Sequence, residues 1–380
     1  MQRNPSTLYK LRILRGLLRV HPIELLFVFI MVVLYLFYSL VIRDFLSVVL
    51  LSILLGSWLV SRPSEWLARG ISNLGLHLGL SEYTIGILSS LTAISGEILI
   101  VSLSLYVAYI TGHYELIIFA ILVILYSISF NILTLGLIVS FRGGKKITVP
   151  DEILSKELEI LDWAVVAIFL ISFLWIARKF LFPVTSDIIY LPREVAFILP
   201  VCYVVYMVHI RKIKLTARTG LSSKPTLSIT HSILLTLIGT IAVIIGGNLI
   251  TDAAISLVMG GMKIFEQLGN PLIITALIVG AASAIYDATI NLIFSARGQL
   301  LTSVGNLIGS ALQLLLLVIG IVGIIIPIPL TEYVIFQLIA IGMSLYFFRQ
   351  AIADRGLDPY EGAMIVLFQF FIFVVAVRGF

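Results

Sequence analysis

Cysteine occurs once in the 380 residues, as Cys202, which excludes an internal disulfide framework and any multi-cysteine metal site. Charge is scarce as well. Asp, Glu, Lys and Arg together supply 12% of the chain, about half the ~25% usual in a soluble domain. The five histidines (His21, His77, His113, His209 and His231) are scattered without metal-ligand spacing. No glycine-rich phosphate loop occurs, so the sequence gives no support to nucleotide-driven pumping. No nucleophile–base pair stands out, so an enzyme is not expected, and neither is a resident cofactor. The net charge of +5 requires no nucleic-acid partner.

What is abundant is apolar. Hydrophobic residues make up 60% of the chain, and the mean hydropathy is +1.13. Several runs exceed the roughly 20 residues that span a hydrocarbon core. The lipid bilayer is therefore the expected surrounding. An all-α polytopic membrane protein follows, since a β-barrel would show short alternating segments. Residues 1–22 are basic and polar before the first apolar run, so no cleavable signal peptide is expected.

Eleven spans account for the apolar segments, approximately 23–42, 44–75, 81–110, 115–140, 161–182, 188–210, 229–265, 270–297, 300–325, 331–349 and 361–378. Two of them, 44–75 and 229–265, exceed a simple crossing. The Arg62-Pro63 step in one and the Gly246-Gly247 and Gly260-Gly261 pairs in the other suggest tilted or interrupted helices. With the N-terminus in the cytoplasm, 19 of the 25 Lys and Arg fall on that side and 6 on the other. Arg3, Lys10, Arg12, Arg15 and Arg19, then Arg142, Lys145, Lys146 and Lys156, contribute most. The 211–228 loop adds five more. This bias predicts a cytoplasmic N-terminus, and the short loops fit a multi-pass plasma-membrane protein.

A repeat runs through these spans at an offset of 190 residues, aligning 56–97 on 246–287 without a gap. Gly56, Leu59, Leu67, Gly70, Leu78 and Gly79 fall on Gly246, Leu249, Leu257, Gly260, Leu268 and Gly269, and Glu97 falls on Asp287. Five spans separate the helix of Glu97 from that of Asp287, and an odd offset makes their directions opposite. The chain thus reads as two inverted five-helix repeats plus an extra N-terminal helix. The segments are 1–43 (basic N-terminus and first span), 44–210 (first half), 211–228 (cytoplasmic linker) and 229–380 (second half). Inverted units bring equivalent positions together near the bilayer midplane. A carboxylate there costs several kcal/mol unless it meets a partner, so the two acids are expected to form one central cation site.

Oxygen-bearing side chains surround both acids. Thr275, Ser283, Thr289 and Asn291 lie on the helix of Asp287, and Ser303, Asn306, Ser310 and Gln313 on the next. Asn306, Ser310 and Gln313 follow i, i+4, i+7 spacing and share a face. Around Glu97 stand Ser89, Ser90, Thr92 and Ser95, followed by Ser127, Ser129 and Asn131. Hydroxyl, amide and carboxylate oxygens suit a hard cation, whereas serines and threonines also serve simply to bind transmembrane helices together. The expected cation ligands are Glu97, Asp287, Ser283, Asn306, Ser310, Gln313, Ser127 and Asn131. Asp252 and Asn248 are candidates for an outer vestibule.

The segment from Asp287 to Gly320 resembles the second α-repeat of the calcium/cation antiporter superfamily. Gly305, Asn306, Gly309 and Ser310 stand in the Gly-Asn-x-x-Gly-Ser pattern eighteen residues beyond the acid. Gln313, in GSALQ, is similar to the proton-coupled calcium exchanger branch, as is an extra N-terminal helix giving eleven spans. The resemblance covers roughly 44–140 and 235–325. Departures are Asp287 for the usual Glu, apolar Ile94 and Ala284 three before each acid, seven extra residues after Glu97, and no Gly-Asn in the first repeat. There Ser127 and Asn131 take the places of the missing pattern. The resemblance implies a secondary antiporter exchanging Ca²⁺ for H⁺ or Na⁺ by alternating access, with Glu97 and Asp287 as the metal-binding carboxylates. Exchange of another cation, Na⁺/H⁺ or Mg²⁺, on the same scaffold is the alternative, and a non-transporting homologue a third.

Overall fold

The computed structural model describes residues 20–78, 94–141, 147–148, 151–181, 188–211, 227–259, 269–296, 300–353 and 356–379. Every apolar segment predicted to span contains a helix. In chain order these are α1 (Pro22–Phe37, continued by a π-helical turn Tyr38–Ile42), α2 (Phe45–His77), α3 (Ser95–Thr111) and α4 (Glu115–Ser140). Then come α5 (Asp151–Leu181), α6 (Arg193–Arg211), α7 (Ile229–Met259) and α8 (Pro271–Ala296). The ninth span is α9 (Leu300–Leu312), a π segment (Gln313–Val318) and α10 (Ile319–Ile325), and α11 (Glu332–Ala353) and α12 (Pro359–Arg378) close the chain. Among the described residues, eight helices are long and apolar enough to cross a membrane, and α3 is a shorter apolar helix. One small pairing joins two loops: β1 (Ile147–Thr148) runs antiparallel to β2 (Gly356–Leu357).

Local chemistry sets the helix ends. Arg43 adopts a left-handed backbone with φ 56°, closing the π turn, and Asp44 then caps α2 by accepting from the Ser47 amide at 3.0 Å. Asp358 and Glu361 form a reciprocal capping box at the start of α12, with both bonds at 2.8 Å.

The interruptions expected in the two long spans are not seen among the described residues. Helix α2 runs unbroken through Pro63, and α7 runs unbroken through Gly246 and Gly247; Gly260 and Gly261 lie outside the described residues. The glycines serve contact instead. A Cβ on Gly239 would lie 2.7 Å from the Pro63 carbonyl oxygen, so α7 comes directly against the backbone at the proline.

The chain divides into two compact units, 1–96 with 219–256 and 97–218 with 257–380. The first is built on α1, α2 and most of α7. Helices α2 and α7 cross antiparallel: Gly56 meets Gly246 and Ile250, Leu67 meets Gly239, and Gly70 meets Ser232 and Thr236. Val20, Trp66 and Leu235 form a buried cluster beside them. Helix α1 is mostly exposed, and a charged clamp holds it to α2. The Glu24 carboxylate accepts from Arg62 Nε at 2.8 Å, Arg62 Nη2 at 3.0 Å and Trp58 Nε1 at 3.0 Å.

The second unit is centred on α4, which is buried along most of its length. Helix α12 lies against it through Gly136 and Gly362. The α5–α11 pair is antiparallel and pinned near both ends, by Arg349–Asp162 at 2.8 Å and by Lys179–Glu332. Buried carboxamides join further helices: Gln337 Nε2 donates to Ser129 Oγ at 2.6 Å and Gln369 Nε2 to Ser344 Oγ at 2.7 Å.

Candidate cation site

Helix α4 holds both acids. Ser127 and Asn131 are four residues apart, hence on one face and ~6 Å apart along the axis. Ser127 Oγ donates to Glu97 Oε1 at 3.2 Å, and Asn131 Nδ2 donates to Asp287 Oδ2 at 3.4 Å. Glu97 and Asp287 are each 1% exposed.

These contacts also fix helix directions. Helix α3 returns into α4 through a short turn, so the two are antiparallel. Helix α8 runs parallel to α4, since Gly280 packs on Val123 and Ser127 while Asp287 reaches Asn131 further along both helices. Helices α3 and α8 therefore run in opposite directions, as inverted repeats require.

Asp287 is the better-supplied acid. Ser310 of α9 sits beside its carboxylate. Asp287 Oδ1, Asn131 Oδ1 and Ser310 Oγ are all buried and lack a hydrogen-bond partner. Three oxygens of carboxylate, carboxamide and hydroxyl type, buried and unpartnered, form an under-satisfied set that a hard cation would complete.

The other predicted ligands divide. Gln313 is buried and opens the π segment of the ninth span, a distortion often found at functional sites. Ser283 is buried but spends its hydroxyl on the Gly280 carbonyl at 2.9 Å. Asn306 is half-buried and turns to Asn291 rather than to the acid, with Nδ2 3.4 Å from Asn291 Oδ1. Asn248 and Asp252 are exposed on α7, in the other unit. Ser89, Ser90 and Thr92 lie outside the described residues.

Asn291 has a larger part than its place in the predicted polar cluster suggested. It lies one turn beyond Asp287, is fully buried, and donates from Nδ2 to the Asp287 carbonyl at 2.6 Å. Its own carbonyl accepts from Ser303 Oγ at 2.9 Å. The i+4 spacing from the acid was the available signal.

The chain is an all-helical bundle in which α3 and α8 each bring one buried carboxylate to α4. No protein-family model matches the chain. Over 135 residues the sequence is 33% identical to an antiporter of provisional designation, CaxA of Alkalimonas amylolytica; the match covers 34% of this chain and 41% of that relative. The fold superposes on the crystal structure of the H⁺/Ca²⁺ exchanger CAX with TM-score 0.67 and 14% identity, covering 87% of this chain and 85% of that one. Native YfkE gives TM-score 0.62 at 17% identity over 92% and 99% of the two chains. The sodium–calcium exchanger NCX_Mj, soaked with Na⁺ and Sr²⁺, gives 0.56 at 18% over 84% and 95%. The chain thus has the fold of the calcium/cation exchangers, the group that the Asp287–Gly320 segment resembles.

Proposed function

We propose that this protein is a secondary cation antiporter, exchanging Ca²⁺ for H⁺ or Na⁺ at the site formed by Glu97 and Asp287. The observation that carries the reading is the pair of buried carboxylates held one turn apart on α4, with three unpartnered oxygens around Asp287. Two like charges repel strongly where the dielectric is low. A divalent cation between them cancels that repulsion, and so do two protons or two Na⁺. Exchange follows because the ions compete for the same oxygens, and a site left empty and charged does not pass the bilayer region freely. The similarity to CAX, NCX_Mj and CaxA supports this reading.

The test is ⁴⁵Ca uptake into proteoliposomes under an imposed proton or sodium gradient. The wild type accumulates Ca²⁺ in a gradient-dependent way, and Glu97→Gln and Asp287→Asn each abolish it. Undiminished coupled uptake in both variants rejects the proposal. The shorter Asp287 and the missing Gly-Asn of the first repeat favour a second reading, transport of Na⁺ or Mg²⁺ against H⁺. Competition among cations in the same assay separates the two.

A further inference from the structure

Beyond the two carboxylates, the polar groups around the site are distributed unequally between the repeats. One helix turn past Asp287, toward the end where α8 stops and α9 begins, lie Asn291, Ser303 and Asn306, joined to each other by hydrogen bonds. Sliding by the repeat interval, with the seven-residue insertion after Glu97, places Val101, Ala120 and Val123 at the equivalent positions of the first repeat. All three are buried and apolar. Because the repeats are inverted, these two sets face opposite sides of the membrane.

The polar set also shows a gradient of burial. Asp287, Asn291 and Ser303 are at most 1% exposed, whereas Asn306 is half-buried. A partly exposed carboxamide on a spanning helix is costly against lipid, and is tolerated where it meets protein or water. Its bond to Asn291, at 3.4 Å, is long for a hydrogen bond. Opening it frees the Asn291 carboxamide oxygen, a ligand that a hydrated cation accepts in place of water.

We propose that Asn291, Ser303 and Asn306 form a hydrated way-station for cations, serving the membrane face at which α8 ends. Among the described residues, the equivalent positions toward the other face are the apolar Val101, Ala120 and Val123. By the distribution of Lys and Arg, the wet face is cytoplasmic. Asn291 would hold the station in register with Asp287 through its bond to that residue's carbonyl.

Cysteine accessibility tests this without requiring transport. In a Cys202→Ser background, Ser303→Cys and Asn306→Cys are exposed to the membrane-impermeant cationic thiol reagent MTSET, from each side of oriented vesicles. Val101→Cys and Ala120→Cys serve as the opposing set. Both second-repeat cysteines are expected to react from the face where α8 ends, at least tenfold faster than either first-repeat cysteine from any face. They should also prefer MTSET over the anionic MTSES by at least tenfold. Silence at 303 and 306 from both faces, equal reactivity at 101 and 120, or no preference for the cation would each overturn the proposal. One-sided reaction in a protein that moves no ⁴⁵Ca would retain the station and refute calcium exchange.

Discussion

Gly56 and Gly246, the same position in the two repeats, meet where α2 crosses α7: a Cβ built on either would lie 2.8 Å from the other's carbonyl oxygen. The flanking contacts are matched as well. Gly56 faces Ile250, and Gly246 faces Val60, the repeat equivalent of Ile250. Equivalent residues thus meet reciprocally at this crossing, as inverted repeats lead one to expect. Small residues at such a point let helix backbones touch.

Replacing Gly56 or Gly246 by Ala should push the helices apart, because backbone atoms of the facing helix stand in the way beside Ile250 and Leu59 and cannot swing aside. Overpacking of this kind costs about 1–3 kcal/mol. Thermal melting of the detergent-solubilised protein should show a lower midpoint for each variant. Gly309→Ala, where a Cβ would meet nothing within 4 Å, should melt like wild type.

Ser127 and Asn131 each serve a different acid, so Ser127→Ala and Asn131→Leu should weaken Ca²⁺ uptake independently. Loss of a hydrogen bond to a charged group costs about 1.5–3 kcal/mol, so the apparent Ca²⁺ constant should rise roughly tenfold in Ser127→Ala and by less in Asn131→Leu, whose bond is longer at 3.4 Å. Maximal uptake should fall less than in the carboxylate variants. An unchanged constant in Asn131→Leu would remove that residue from the site.

The Glu24–Arg62 clamp fastens α1 to α2. Its side chains retain 22% and 32% exposure, so the cost of breaking it falls below the 3–5 kcal/mol of a fully buried pair, at about 1–2 kcal/mol. Arg62→Met should cost this much, and adding Glu24→Gln should cost little more, because the unpaired carboxylate is then gone. A double-mutant cycle on the melting midpoint measures the coupling; additive losses would show that the two residues act separately.

Asp44, the exposed cap just ahead of α2 (Phe45–His77), supplies a pH-dependent contribution. The Ser47 hydroxyl, with its amide, holds the Asp44 carboxyl below its ordinary value of 3.8. A group with a lowered folded pKa stabilises above the unfolded value and loses that contribution as the pH falls through the folded one. The start of α2 should therefore fray on acidification from about 3.8 downward. Faster amide exchange at residues 45–48 at acid pH, after correction for the intrinsic rate, should show it, and Asp44→Ala should exchange faster at neutral pH already.

The spans and the repeat were legible because hydropathy over twenty residues and an ungapped match at fixed offset are properties of the chain alone. Even α6, with Pro200 inside it, falls where the apolar run placed it. The i, i+4 spacing of Ser127 and Asn131 announced a shared face. It did not announce that one residue would address Glu97 and the other Asp287, since that depends on how α3 and α8 flank α4. Pro63 and the Gly246-Gly247 pair were read as marks of tilt or interruption, and no break occurs at either, because sequence shows the loss of local helix preference but not the neighbouring backbone packed against it.

The amino-acid order by itself determined a helical membrane protein, its two antiparallel copies and the two acids at matching positions. Those follow from the bilayer's demand that every backbone group be satisfied within its own helix. Which oxygens stand around Asp287, and the turn of Asn306 toward Asn291, were decided only when α4, α8 and α9 packed together. Side-chain partners across helices depend on rotation and register, which no single helix carries in its own sequence.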